Sequence, residues 1–383
     1  MAQKPDGKVR LKLRLIIGLA QIAGWTSRTL LRRSGETLPG KVLLQLYPTA
    51  LRELSKEREI LVVSATNGKT STTRALVQAV SALGEVTTSA SGSNLPRGAA
   101  TALMKSSPFA VLEIDELHLP QLINETNPKV VLLLNVTRDQ LHRMHEVKRV
   151  ADRWYEAATI APETTFVIDV DDPFLNYATK EAVKVIRISF GGRRHPDGAV
   201  CPSCGAYMNW RGGIYDCSCG LTNKNPNQLL PDGSAAYRNA TLANIAAELM
   251  GAKPIPVDEK ALERSVTKDY AGVTAHIRLT KNPASWTEAL RGVDSQNVVL
   301  IVNARQVDGI DTSWLWDVSF ASLKGKNVVV TGERALDIAY RLHVEGIEAE
   351  VVENFDKAIK EFPSGSKVSV LAAYTAFFGL VNL

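Results

Sequence analysis

The sequence has little net charge, few cysteines and no apolar run long enough to cross a bilayer, and each shortage narrows its reading. Net charge is +5 over 383 residues, too small a bias to argue for nucleic acid, and no RNA- or DNA-binding module is visible. The bias would suit an anionic ligand, but it equally suits a protein that is merely soluble. One apolar stretch, Leu15-Ile16-Ile17-Gly18-Leu19-Ala20, follows the basic residues Lys8, Arg10, Lys12 and Arg14, in the order of a signal peptide. It is only about ten residues long, too short to span a membrane. No Ala-x-Ala site follows it, and Arg28, Arg32 and Arg33 come soon after. Leu13, Ile16, Ile17, Ala20 and Ile22 recur near helical spacing, so an amphipathic packing helix is expected, with a peripheral contact to lipid headgroups as the alternative. The expected compartment is the cytoplasm.

What is present is the composition of an ordinary globular protein, 45% apolar and 22% charged, at a length that suits two or three domains. Helical pattern fills residues 1–55, interrupted at Pro39-Gly40 and Pro48. Ile60-Leu61-Val62-Val63-Ser64-Ala65 then reads as a buried strand, and Ser71 to Leu83 as a helix closed by Gly84. Further buried strands are expected at Ala110–Ile114, Val130–Leu134 and Thr165–Ile168. Continuous apolar strands alternating with helices imply a parallel sheet covered on both faces. Residues 192–228 break this texture, being rich in Gly, Arg, Asn and Cys with almost no aliphatic residues. Helix returns at Asn239–Met250, Pro254-Ile255-Pro256 reads as a linker, and strands at Asn297–Val302, Asn327–Thr331 and Lys367–Leu371 follow, with a helix at Arg334–Val344. The expected fold class is therefore α/β: a parallel-sheet domain over 1–253 with a small insertion, and a Rossmann-like α/β domain over 254–383.

Three polar segments follow the first three strands. Ala65-Thr66-Asn67-Gly68-Lys69-Thr70-Ser71 stands between a strand and a helix, the context a phosphate-binding loop requires. Gly68 lets backbone N–H groups approach phosphate, Lys69 supplies charge, and the Thr70 hydroxyl can ligate Mg²⁺. Glu113-Ile114-Asp115-Glu116 places carboxylates where Mg²⁺ would sit, Glu113 foremost, although a solvated acidic helix start would look the same. Asn135-Val136-Thr137-Arg138-Asp139-Gln140-Leu141 is a third polar cluster, with helix capping by Thr137 or Asp139 as the plain alternative. All four cysteines fall in the insertion, as Cys201-x2-Cys204 and Cys217-x-Cys219. Two close pairs of thiolates make a closed tetrahedral site for structural Zn²⁺, and two disulfides are the alternative. Lys281–Ser285 and Val307–Asp317 combine turn and charged residues and are open to either a ligand or a turn role. Asp337 lies within a helix, where it is either functional or paired with Arg341 at i+4.

These residues resemble a known family. Ala-Thr-Asn-Gly-Lys-Thr-Ser-Thr-Thr is similar to the loop of Mur ligases and folylpolyglutamate synthases. The combination with Glu-Ile-Asp-Glu, Asn-Val-Thr-Arg-Asp-Gln-Leu, a four-cysteine insertion, Lys-Asn-Pro-Ala and Asp-Gly-Ile-Asp-Thr-Ser-Trp-Leu-Trp-Asp resembles the MurT family, over about residues 32–376. That resemblance implies a Mur ligase central domain with an inserted zinc ribbon, using ATP and Mg²⁺. It implies amidation of the D-glutamate α-carboxylate of the lipid II stem peptide through an acyl phosphate. Ammonia would come from a GatD-type glutaminase, in a heterodimer working at the inner face of the membrane. By the same resemblance Lys69 neutralises the phosphates, Thr70 and Glu113 hold Mg²⁺, and Asn94, Asp172 and Asn244 lie at the nucleotide. Asp337 would orient the glutaminase's catalytic His across the interface. Three positions depart from the pattern: Ala65 replaces a loop glycine, His142 stands where Asp is usual, and 271–276 lacks the usual Gly-Arg turn. No equivalent of the carbamylated lysine of some Mur ligases is evident. Two other readings remain, an amino-acid-adding ligase of the same fold and a nucleotide-binding scaffold for a glutaminase.

Overall fold

The computed structural model describes residues 7–30, 37–89, 94–138, 147–256, 259–262, 264–305 and 308–382. Two compact units are formed, Met1–Val136 with Val147–Leu262, and Thr137–Glu146 with Glu263–Leu383. The first is built on strands β1 (Glu59–Ser64), β2 (Val86–Thr88), β3 (Phe109–Glu113), β4 (Val130–Leu133), β5 (Thr165–Asp169) and β6 (Lys184–Ser189), with the short strand β9 (Gln228–Leu229) at one edge. Their spatial order is β2-β3-β1-β4-β5-β6-β9, and every pairing is parallel. The run from Ile60 to Val63 is wholly buried, as expected of a strand covered on both faces. Because β1 lies between β3 and β4, the chain reverses its direction of sheet growth there. The ends of these three strands therefore open one crevice.

The insertion carries its own two-stranded antiparallel sheet, β7 (Asn209–Arg211) with β8 (Ile214–Asp216). Its core is small: Cys201, Met208, Tyr215 and Leu221. The second unit has strands β10 (Ser265–Tyr270), β11 (Val273–Leu279), β12 (Asn297–Ile301), β13 (Asn327–Thr331), β14 (Glu350–Val351) and β15 (Lys367–Ala372). They are ordered β10-β11-β15-β12-β13-β14, parallel except for the β10–β11 hairpin. The atypical 271–276 segment is the turn and start of that hairpin. Ala271 and Gly272 both have positive φ, 54° and 84°, which a two-residue type I′ turn demands. Apolar clusters cover both faces of this second sheet.

The N-terminal helix spans Gly7–Leu30. Leu13, Ile16 and Ala20 are buried, and Gly24 lies so close to the helix Leu38–Leu46 that a Cβ there would meet Pro39 Cγ at 2.5 Å. Pro39 thus starts a helix instead of interrupting one. Ile22, expected on the packing face, is instead 60% exposed. At 100° per residue it falls on the opposite side from Ala20.

Candidate active site

Gly68 is the hinge of the phosphate loop. Its φ of 85° places it in the left-handed region just before the helix Lys69–Val80, and a Cβ would meet Asn239 Nδ2 at 2.4 Å. Glycine is required on both counts. The loop is stapled from the end of β4. The Asn67 N–H donates to Asn135 Oδ1 at 3.0 Å, Asn135 Nδ2 donates to the Asn67 carbonyl at 2.9 Å, and the Thr66 N–H donates to the Asn135 carbonyl at 3.0 Å. Ala65 is fully buried, and its carbonyl accepts from Lys69 Nζ. The methyl where a loop glycine is usual therefore fits.

The carboxylates at the end of β3 face this loop. Thr70 Oγ1 lies 3.4 Å from Glu113 Oε1, and Glu113 is 4% exposed. Ser89 fixes its backbone, accepting from the Glu113 N–H at 3.0 Å and donating to its carbonyl at 3.3 Å. A hydroxyl and a carboxylate in this position are the hard oxygen donors that suit Mg²⁺. Lys69 Nζ reaches Glu116 Oε2 at 3.1 Å, with both side chains largely buried. The indole of the fully buried Trp154 donates to the Glu116 carbonyl at 3.0 Å. Sequence reading ranked Glu116 below Glu113, because spacing alone does not show which carboxylate turns towards Lys69. Asn135 was visible only as part of a polar cluster, and no pattern pointed to Asn239.

The remaining expected residues lie at various distances from this centre. Asn94 is half-buried, and its carbonyl accepts from the Asp115 N–H at 2.6 Å, beside the β3 carboxylates. Ser71 and Asn244 both line a cavity of about 260 Å³ between the helices Lys69–Val80 and Ala235–Leu249, with Arg74, Ile255 and Pro256. The Asn244 amide is committed to the backbone of Ile255, donating at 2.8 Å and accepting at 3.1 Å. Asp172 caps the helix Pro173–Ala178, accepting from the N–H groups of Phe174 and Leu175, and also from Val136 N–H at 3.2 Å. Burial pushes its carboxyl up, against the opposing pull of His195. Next to it Asp169, buried beside Asp171 and against Arg238, is raised to about 7, with burial the main cause. Of the third polar cluster, residues 139–141 lie outside the described residues, as do His142 and Val307.

The four cysteine sulfurs lie within 4.8 Å of one another, with Cys201–Cys219 at 3.6 Å and Cys204–Cys217 at 3.4 Å. No disulfide joins them. Four thiolates about 2.3 Å from a central zinc would stand at comparable separations, so the donor set fits that metal. The Cys219 N–H helps pull the Cys217 thiol down to about 7, whereas burial pushes the Cys201 thiol up to about 12. The insertion is tied to the main sheet by Tyr215, whose hydroxyl donates to the Val170 carbonyl at 2.9 Å, and by Asn223, which donates to Asp171 at 2.9 Å.

In the second unit, Asp337 sits in the first turn of the helix Ala335–Val344, where a carboxylate favours the helix. It pairs with Arg334 at 2.6 Å. Arg341, the partner in the alternative reading of Asp337, is instead bound to the Leu315 and Val318 carbonyls and to Glu345. Asn282 and Ser285 form a capping box for the helix Pro283–Arg291. Asp308 accepts from both the N–H and the hydroxyl of Thr375, each at 2.7 Å. Trp314 packs on Trp286, ring centroids 6.0 Å apart, whereas Trp316 is 55% exposed.

Comparison with known proteins agrees with this architecture. Residues 63–215 match the Mur ligase middle domain and residues 279–377 the MurT ligase C-terminal domain. A Streptococcus pneumoniae protein named lipid II isoglutaminyl synthase (glutamine-hydrolyzing) subunit MurT is 30% identical, across 96% of each chain. The chain belongs to the MurT family. A Staphylococcus aureus MurT subunit is 25% identical over 89% of this chain and 90% of its own. Solved Mur ligases share the fold of this MurT-family chain at low identity. MurF from Acinetobacter baumannii superposes with a TM-score of 0.62 at 16% identity, covering 89% of this chain and 79% of its own. A pseudomurein peptide ligase type C from Methanothermus fervidus gives 0.60 at 16%, covering 84% and 78%. No helix among the described residues is long and apolar enough to cross a membrane.

Proposed function

We propose that this chain is the ATP-dependent ligase subunit of a lipid II isoglutaminyl synthase, amidating the D-glutamate α-carboxylate of the lipid II stem peptide to D-isoglutamine. The observation that carries the reading is the full-length likeness to MurT subunits, joined to a phosphate loop whose Lys69, Thr70, Glu113 and Glu116 converge. Lys69 and the N–H groups at the start of the helix Lys69–Val80 bind the triphosphate of ATP. Thr70 and Glu113 hold Mg²⁺, which when bound offsets phosphate charge. The substrate carboxylate attacks the γ-phosphorus and ADP leaves, giving an acyl phosphate. Ammonia then attacks the acyl carbon, phosphate departs, and a proton is lost from nitrogen to leave the amide. Asn67 and Asn135 keep the loop preorganised for this transfer. Asn94, Ser71, Asn244 and Asp172 belong to the wider nucleotide site, Asp172 and Asn244 by fixing backbone through the bonds described. Cys201, Cys204, Cys217 and Cys219 hold a structural Zn²⁺.

The ammonia source in this reading is a GatD-type glutaminase subunit, forming a heterodimer on the cytoplasmic side of the membrane, where the lipid-linked acceptor lies. Asp337 is a positioning residue for the glutaminase's histidine. In support, Asp337 stands beside an exposed apolar row, Leu336, Tyr340 and Val344, with Trp316 edge-on to Tyr340 at 6.3 Å. Exposed apolar rows of this kind mark protein interfaces.

The test is turnover. Purified with its glutaminase, the chain should release ADP and phosphate only when lipid II is supplied, and Lys69→Ala should lower the rate at least about a hundredfold. Turnover unchanged by Lys69→Ala would overturn the ligase reading. Amino-acid-dependent turnover without glutamine would favour an amino-acid-adding ligase. Glutaminase activity undisturbed by Asp337→Asn would remove the positioning role.

A further inference from the structure

The N-terminal helix Gly7–Leu30 is apolar on two sides, and only one of them is covered by the protein. Leu13, Ile16 and Ala20 face inward. Leu11, Leu15, Leu19, Ile22 and Trp25 are all more than half exposed. At 100° per residue these five fall within an arc of about 120° opposite the buried side, along about 21 Å of helix. Five large apolar side chains in one row differ from the scattered exposed leucines of ordinary surfaces. Lys12 and Arg14, both exposed, stand at the two edges of the row.

Charge identifies what covers this face. Residues 7–35 contain seven Lys and Arg and no Asp or Glu. That exceeds the net charge of the whole chain, +5, so the rest of the sequence sums to −2. A basic helix with a continuous apolar row and basic edges matches an anionic surface with an apolar interior. Lysine and arginine stems lie along the apolar layer while their charges stay at the headgroups. A second copy of the same helix would bring its five positive charges, Lys8, Arg10, Lys12, Arg14 and Arg28, against the same five, so self-association is disfavoured by the same feature.

We propose that the exposed face of the helix Gly7–Leu30 docks on an anionic phospholipid surface. The helix lies in the plane of the interface with Leu11, Leu15, Leu19, Ile22 and Trp25 inserted among the acyl chains. The helix does not span the bilayer; its buried side stays packed on the helix Leu38–Leu46. This association is a property of the chain itself, separate from any contact made through a lipid-linked substrate.

The experiment is co-sedimentation of the full chain with vesicles, without nucleotide, acceptor or glutaminase, so its outcome is independent of the ligase reading. The chain should pellet with phosphatidylglycerol–phosphatidylcholine vesicles and stay in solution with phosphatidylcholine alone. Binding should fall at least about tenfold in Leu15→Glu combined with Ile22→Glu, and on raising salt from about 0.1 M to about 1 M. Both residues are exposed, so thermal unfolding of this variant should match the parent. Should it not, Lys12→Gln combined with Arg14→Gln supplies the same test from the charged edges. Equal binding to neutral vesicles, or undiminished binding of the variants, overturns the proposal. So does a vesicle-free molar mass, by light scattering, that is twice the chain's and halves in the Leu15→Glu, Ile22→Glu variant, since a second copy would then cover the face.

Discussion

Lys69 is engaged by Glu116, and replacing that carboxylate by Gln shows what the pair does. Glu116→Gln keeps the shape and an accepting oxygen 3.1 Å from Nζ but removes the charge. At an effective dielectric of about 20, the gross attraction at this distance is about 5 kcal/mol. Burying both side chains offsets most of it. What separates a charge-assisted from a neutral hydrogen bond is about 1–2 kcal/mol. The Trp154 bond to the Glu116 carbonyl is untouched, so the loss should be confined to this contact. The expected fall in melting temperature is about 3–6 °C for a unit of this size. In the proposed nucleotide site, phosphates compete with Glu116 for the same ammonium, so the variant should bind Mg·ATP about five- to thirtyfold more tightly by calorimetric titration. A Kd weakened tenfold, with the melting temperature unchanged, would refute the reasoning. It would place the Glu116 carboxylate on the nucleotide's metal and not on Lys69.

Removal of metal by a strong chelator, or Cys204→Ser, should unfold the insertion while the seven-stranded sheet persists, because four side chains make up its core. Structural zinc supplies about 10–16 kcal/mol in comparable small folds, and new proteolytic cuts confined to 192–228 would report its loss. Purified chain without zinc and with an uncut insertion would contradict this. Asp169, raised to about 7 by burial, binds its proton more tightly folded than unfolded, so its contribution to stability falls as pH rises from about 4 to about 7. The melting temperature of Asp169→Asn minus that of the parent should therefore increase across that window; a constant difference would contradict it. Ala271 has a φ of 54° in the β10–β11 turn, so Ala271→Gly should raise stability by about 0.5–1 kcal/mol in denaturant unfolding.

Much of this protein is legible in local pattern. Ile60–Val63 and Val130–Leu133 are read as strands because a strand covered on both faces is apolar at every position. Gly68-Lys69-Thr70 reads as a phosphate site because it stands between a buried strand and a helix, where the turn demands glycine and an anionic ligand demands charge. The paired cysteines point to a metal site because two close pairs of thiols suit tetrahedral ligation, and the fold brings all four sulfurs within 4.8 Å of one another. These are short-range constraints, each satisfied within a few residues of chain. Tertiary structure decided what depends on partners far apart in sequence. It brought Glu116 to Lys69 across 47 residues, Asn135 to Asn67 across 68, and Asn239 over Gly68. It turned Asp337 towards Arg334 because Arg341 is held by the carbonyls of Leu315 and Val318. It also split the apolar residues of the first helix into a covered and an uncovered row. Periodicity tells that a helix has apolar faces, but only the packing of Gly24 against Pro39 settles which face the protein keeps for itself.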